Sequence, residues 1–142
     1  MSYTTGKNSV GQYSSVNSYT GVTDANPHQL VQMLLDGALG KLSAVKGLIE
    51  RNETAKKGQV IGQAISIIGG LRTSLDMEKG GDIAANLDSV YEYMERQLVT
   101  ANLKNDASII VEVVGLLREI KLAWESIPAD DRSKSPDLSI VS

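Results

Sequence analysis

The chain has no cysteine and no phenylalanine, one histidine, one tryptophan and three prolines. Without cysteine there is no disulfide frame and no thiolate ligand or nucleophile. With one histidine there is no second imidazole at zinc-binding spacing and no nucleophile–base pair to go with it. Without phenylalanine the core must come from Leu, Ile, Val, Ala and Met, which favours helices packed on helices. Clustered positive charge is missing too. Lys56-Lys57 is the longest basic run and the net charge is −3, so there is no cationic surface of the kind nucleic acid requires. No apolar run reaches the roughly 18 residues of a membrane span, and the N-terminus lacks a signal-peptide layout. The expectation is a soluble cytoplasmic protein with no nucleic-acid partner, no membrane insertion, no cofactor, no metal and no enzymatic activity.

What is present is one domain's worth of chain, 142 residues, 42% apolar and 22% charged. Residues 1–24 are rich in Ser, Thr, Gly and Asn but hold three of the five tyrosines. Their composition predicts a flexible N-terminal arm, because it offers too little apolar area to offset ordering entropy. Residues 25–127 carry helical periodicity. Residues 128–142 are polar apart from Leu138, Ile140 and Val141, and read as a disordered tail.

Four helices are expected. Asn26, Pro27 and Gln29 have the spacing of a capping box that starts the first, which fades near Arg51-Asn52. Thr54 caps the second, whose stripe Ile61, Ala64, Ile65, Ile68, Leu71 and Leu75 runs towards Gly80. Gly80-Gly81 then reads as a hairpin, with Asp82 opening a third helix through Ile83, Leu87, Tyr91, Met94 and Leu98. Asp106 caps the fourth, with Ile109, Val113, Leu116, Leu117, Ile120 and Trp124 on its core face, and Pro128 stops it. The fold class is therefore all-α, an antiparallel four-helix bundle with a flexible N-terminal arm that has room for a short extra capping helix.

The apolar surface exceeds what one core needs. On the first helix, Val31, Leu34, Ala38, Leu42, Val45 and Ile49 form one stripe. Leu30, Met33, Gly37, Gly40, Ala44, Gly47 and Leu48 form another, roughly 120° away at 100° per residue. Glycine inside a helix costs about 1 kcal/mol against alanine, so its recurrence there implies close approach by another backbone. That backbone is either a neighbour within the bundle or a foreign helix. Val60 and Ile67 on the second helix, Ile110 and Val114 on the fourth, and Tyr93 on the third flank the expected core in the same way. A foreign helix, a dimer seam and a tight core all remain open on this reading. A phosphorelay bundle is a further alternative. It is disfavoured because the lone His28 follows Pro27 at a helix start and precedes apolar Leu30, Val31 and Met33.

Several pieces in order carry a family resemblance. These are "TDANPHQLVQMLLDGAL", "LDMEKGGDIAANLDSVYEYM", "QLVTANLKND" and "LLREIKLAWESI". Together they resemble the FliS family, the flagellar secretion chaperones that bind flagellin, over roughly residues 13–127. Leu35 stands where that family usually has tyrosine. The resemblance implies an antiparallel bundle and a client, the disordered C-terminal segment of flagellin, kept from premature polymerisation until export. It implies contact with the flagellar export gate, and an N-terminal arm that covers apolar surface when no client is bound, with Tyr13 and Tyr19 as lid candidates. Joined to the excess surface, it makes Leu30, Met33, Gly37, Gly40, Ala44, Val60, Ile67, Ile110, Val114 and Tyr93 the candidate flagellin contacts. The oligomeric state, monomer or homodimer without client, is left open. A self-association module is the rival from another functional class.

Overall fold

The computed structural model describes residues 26–128. They form α1 (Pro27–Leu42), α2 (Val45–Glu50), α3 (Thr54–Thr73), α4 (Met77–Lys104) and α5 (Ala107–Glu125), with no strand among the described residues. α1 packs on α3 and α5, and α4 packs on α3 and α5, closing a four-membered ring in which α2 prolongs α1. This is the expected four-helix bundle. The expected arm, with Tyr13 and Tyr19, and the polar tail lie outside the described residues.

Local signals set the helix starts. Asn26 Oδ1 accepts from the Gln29 amide at 2.8 Å, and Gln29 Oε1 accepts from the Asn26 amide at 3.0 Å. That capping box satisfies two amides that helix geometry leaves without partners. Asp106 caps α5 by accepting from the Ser108 amide at 2.9 Å. Asn105 ends α4 in the left-handed conformation, φ 53°, which asparagine tolerates better than most residues.

Three boundaries differ from expectation. The first helix is interrupted at Ser43-Ala44, where the Ser43 hydroxyl donates to Gly40 O at 2.7 Å and the Ala44 amide reaches Lys41 O at i−3. A side chain bonded to its own helix backbone competes with the ladder there. Glu53, not Thr54, occupies the α3 N-cap, and no side chain bonds the helix start. The third concerns the approach to the hairpin. α3 ends at Thr73, earlier than expected, and Asp76 caps the start of α4 by accepting from the Lys79 amide at 2.9 Å. One helical turn then leads to Gly81, whose φ of 52° and ψ of −130° break the helix. The Arg72–Asp88 and Lys57–Asn102 contacts between α3 and α4 are centred near residue 80. The expected break at Gly80-Gly81 and restart at Asp82 are therefore present, within a connection that begins at Ser74.

The core contains Leu35, Leu42, Ile61, Ile68, Leu71, Met94, Leu98, Val113 and Leu117, all essentially inaccessible, with Tyr91 and Trp124. Each such aliphatic side chain contributes about 1.5–3 kcal/mol by leaving water. Leu35, the departure from the usual family tyrosine, is among the most buried. Burial pushes the Tyr91 phenol well above its ordinary range.

Polar contacts pin the helices to one another. The Arg72 guanidinium on α3 bonds Asp88 at 2.9 and 3.3 Å and Glu95 at 2.8 Å, both on α4. The buried Lys57 amine on α3 donates to Asn102 O at 2.9 Å and to Asn105 Oδ1, at the C-terminal end of α4. A cation suits that end because unpaired carbonyls and the helix dipole concentrate negative potential there.

Candidate docking surface

Between α1 and α5 runs a polar edge. Lys121 Nζ pairs with Asp36 at 2.7 Å, and Gln32 Nε2 donates to Glu125 Oε2 at 2.9 Å. Asp36 raises the Lys121 amine above its ordinary range. These contacts fix which way each helix faces. With 100° per residue, Met33, Gly37 and Gly40 lie on the side of α1 away from the core stripe Val31, Leu35, Ala38 and Leu42, and Ala44 follows just beyond the helix end. Gly40 and Ala44 are exposed, while Met33 and Gly37 are half-buried. A Cβ placed on Gly40 would meet nothing within 4 Å. Among the described residues, therefore, no neighbour packs closely against this glycine. Leu30, 41% exposed, begins the same face.

On α5, Val111 is 66% and Leu122 67% exposed. They share a face with Gly115, another glycine whose added Cβ would find open space. This ridge and the outward stripe of α1 flank the same polar edge. Val114 is half-buried beside it.

The other expected contacts sit elsewhere. Val60 and Ile67 of α3 and Ile110 of α5 belong to the core, so in this conformation they offer no free surface. The α3 share of the expected groove is missing for that reason. Tyr93 is half-buried on the α4–α5 edge, where its hydroxyl donates to Glu112 Oε2 at 2.7 Å and Arg96 lies 5.9 Å from its ring centroid. The bond to Glu112 raises the Tyr93 phenol above its ordinary range.

Val111, Gly115 and Leu122 were missed by sequence reasoning. Ile110 and Val111 are adjacent and both apolar, so a shift of ~100° in the core stripe leaves either as the flank. The structure puts Ile110 inside and Val111 out, and leaves Ile109 only partly buried. The spacing Val111, Gly115, Leu122 is one helical face and was the available signal.

His28, weighed as a phosphoacceptor, is buried and stacked on Trp124, with ring centroids 5.1 Å apart. Among the described residues no group of three His, Asp or Glu side chains is placed to hold a metal ion, and no helix is long and apolar enough to cross a membrane.

Fold and surface together define a helical bundle with a core closed on itself and an apolar, glycine-bearing face along α1 and α5 that the described residues leave uncovered. The comparisons give that class a family. The family model described as "Flagellar protein FliS" matches residues 9–131. The chain is 50% identical over 116 residues to the flagellar secretion chaperone FliSB of Pseudomonas aeruginosa, covering 82% of this chain and 92% of the relative. It is 47% identical over 116 residues to the flagellar secretion chaperone FliS of Salmonella typhimurium, with 81% and 86% covered. It is 40% identical over 124 residues to that of Vibrio cholerae, with 87% and 91% covered. The chain belongs to the FliS family of flagellar secretion chaperones.

Proposed function

We propose that this protein is a cytoplasmic export chaperone that binds the disordered C-terminal segment of flagellin. By holding that segment it blocks premature polymerisation and presents flagellin to the flagellar export gate. The observation that carries this reading is the open space over Gly40, on an apolar face that the bundle itself leaves uncovered. Leu30, Met33, Gly37 and Gly40 of α1 and Ala44 just beyond it, with Val111, Val114, Gly115 and Leu122 of α5, form the docking face. Glycines there let a helix backbone approach closely, and the flanking Leu, Val and Met side chains supply apolar area. Full burial of such a side chain is worth about 1.5–3 kcal/mol, against an ordering cost of several kcal/mol for a segment that folds as it binds.

The segment before Asn26, with Tyr13 and Tyr19, competes for the α1 stripe of that face when no client is present. Deleting residues 1–18 is expected to tighten binding; weaker binding would make that segment a contact instead of a lid.

Titration with a flagellin C-terminal peptide, followed by hydrogen exchange, tests the reading. The expected result is a 1:1 complex with slowed exchange in α1 and α5. Absence of a complex, with concentration-dependent self-association through the same face, would establish the homodimer reading instead.

A further inference from the structure

The outward ridge of α5 is the most exposed large apolar surface on the α1–α5 side, with Val111 and Leu122 about two-thirds accessible. Arg118, also exposed, stands between Gly115 and Leu122. We infer that the segment Leu138-Ser139-Ile140-Val141 of this same chain folds back along that ridge and covers it.

Three observations select this occupant. The first is where the chain leaves the bundle. Ile127 is buried and its amide bonds Trp124 O at 3.3 Å, so the chain departs from a fixed point at Pro128, just past the Leu122 end of the ridge. The second is length. Leu138 lies ten residues beyond Pro128, a reach of up to ~33 Å when extended. The ridge runs ~17 Å from Leu122 to Val111 at 1.5 Å per residue, and begins ~9 Å from the exit. The segment therefore reaches every part of it. The third is chemistry. Residues 129–137 are polar or small, and apolar side chains return only at Leu138, Ile140 and Val141. Asp137, immediately before them, has the charge to meet Arg118. The family match ends at residue 131, so this apolar return lies beyond the part of the chain that the family accounts for.

The test uses the full chain without client. Because the chain has no cysteine, Ser142→Cys takes a single nitroxide label. The expected result is strong paramagnetic broadening of the Val111 and Leu122 methyl signals, with Val99 and Leu103 on α4 unaffected. Leu138→Ser, Ile140→Ser and Val141→Ser combined should abolish it. Equal broadening at both places, no broadening, or broadening that survives the triple change would overturn the inference. So would broadening seen only between labelled and unlabelled copies, which would mean docking on a second molecule. None of these outcomes bears on whether flagellin binds.

Discussion

His28 and Trp124, ninety-six positions apart, hold each other by two reciprocal hydrogen bonds. His28 Nε2 donates to Trp124 O at 2.9 Å, and Trp124 Nε1 donates to His28 O at 3.0 Å. Their rings are stacked at an interplanar angle of 11°. The first turn of α1 is thereby tied to the last turn of α5. Trp124→Phe should cost about 2 kcal/mol, from one lost hydrogen bond and a smaller ring. His28→Ala should cost a similar amount. Urea denaturation of the double variant should show less than the sum, because each change already breaks part of the same pair. Additive losses would mean that the two residues act independently.

Gly81 is where α4 restarts after its interruption. Its φ of 52° with ψ −130° is a conformation that a Cβ makes strained. Gly81→Ala should lower unfolding stability by about 1–3 kcal/mol although the added methyl meets nothing within 4 Å. An unchanged denaturation midpoint would mean that the first turn of α4 rearranges freely.

Lys57 presents the opposite case, a charged group inside the bundle. Lys57→Met keeps the aliphatic length and removes the donor for Asn102 O and Asn105 Oδ1. The expected loss is about 1–3 kcal/mol, the cost of leaving buried acceptors without a partner. Hydrogen exchange should quicken first at the C-terminal end of α4. Uniform acceleration across all the helices would argue against a local tie.

These features differ in how legible they are from sequence. The Asn26–Gln29 box and the Asp106 cap rest on bonds within three residues, and the residues themselves announce them. The break at Gly81 was equally local, whereas the earlier end of α3 at Thr73 has no glycine or proline beside it to announce it. The burial of Lys57 and the His28–Trp124 pair depend on partners 45 to 96 positions away, so no window of sequence contains them. The proposed docking face was half legible. Its α1 stripe was visible because glycines in a helix need a reason. Its α5 ridge was not, because the neighbour that decides whether Ile110 or Val111 faces inward is another helix.

Asp88 gives a pH dependence. Its two bonds to the Arg72 guanidinium hold its carboxyl below the ordinary aspartate value. A lowered folded-state pKa stabilises the fold at every pH above the unfolded value of about 3.9, and that contribution fades as pH falls through the folded value. Asp88→Asn should therefore be less stable than the parent near neutral pH, and the two should converge as pH falls from neutral to well below about 4. Urea midpoints across that range supply the check. Curves that stay parallel to the acid end would remove the pair from the account.

The docking face is tested most directly by isothermal titration of a flagellin C-terminal segment into two leucine variants, Gly40→Leu and Gly62→Leu. Both glycines are exposed on helices with open space where a Cβ would go, Gly40 on the proposed face and Gly62 on α3. Both variants should fold with stability equal to or above the parent, since glycine is the poorer helix residue. Gly40→Leu is expected to weaken binding roughly tenfold or more, about 1.4 kcal/mol, while Gly62→Leu binds as the parent does. Parental affinity in Gly40→Leu, with its fold intact, would contradict the account.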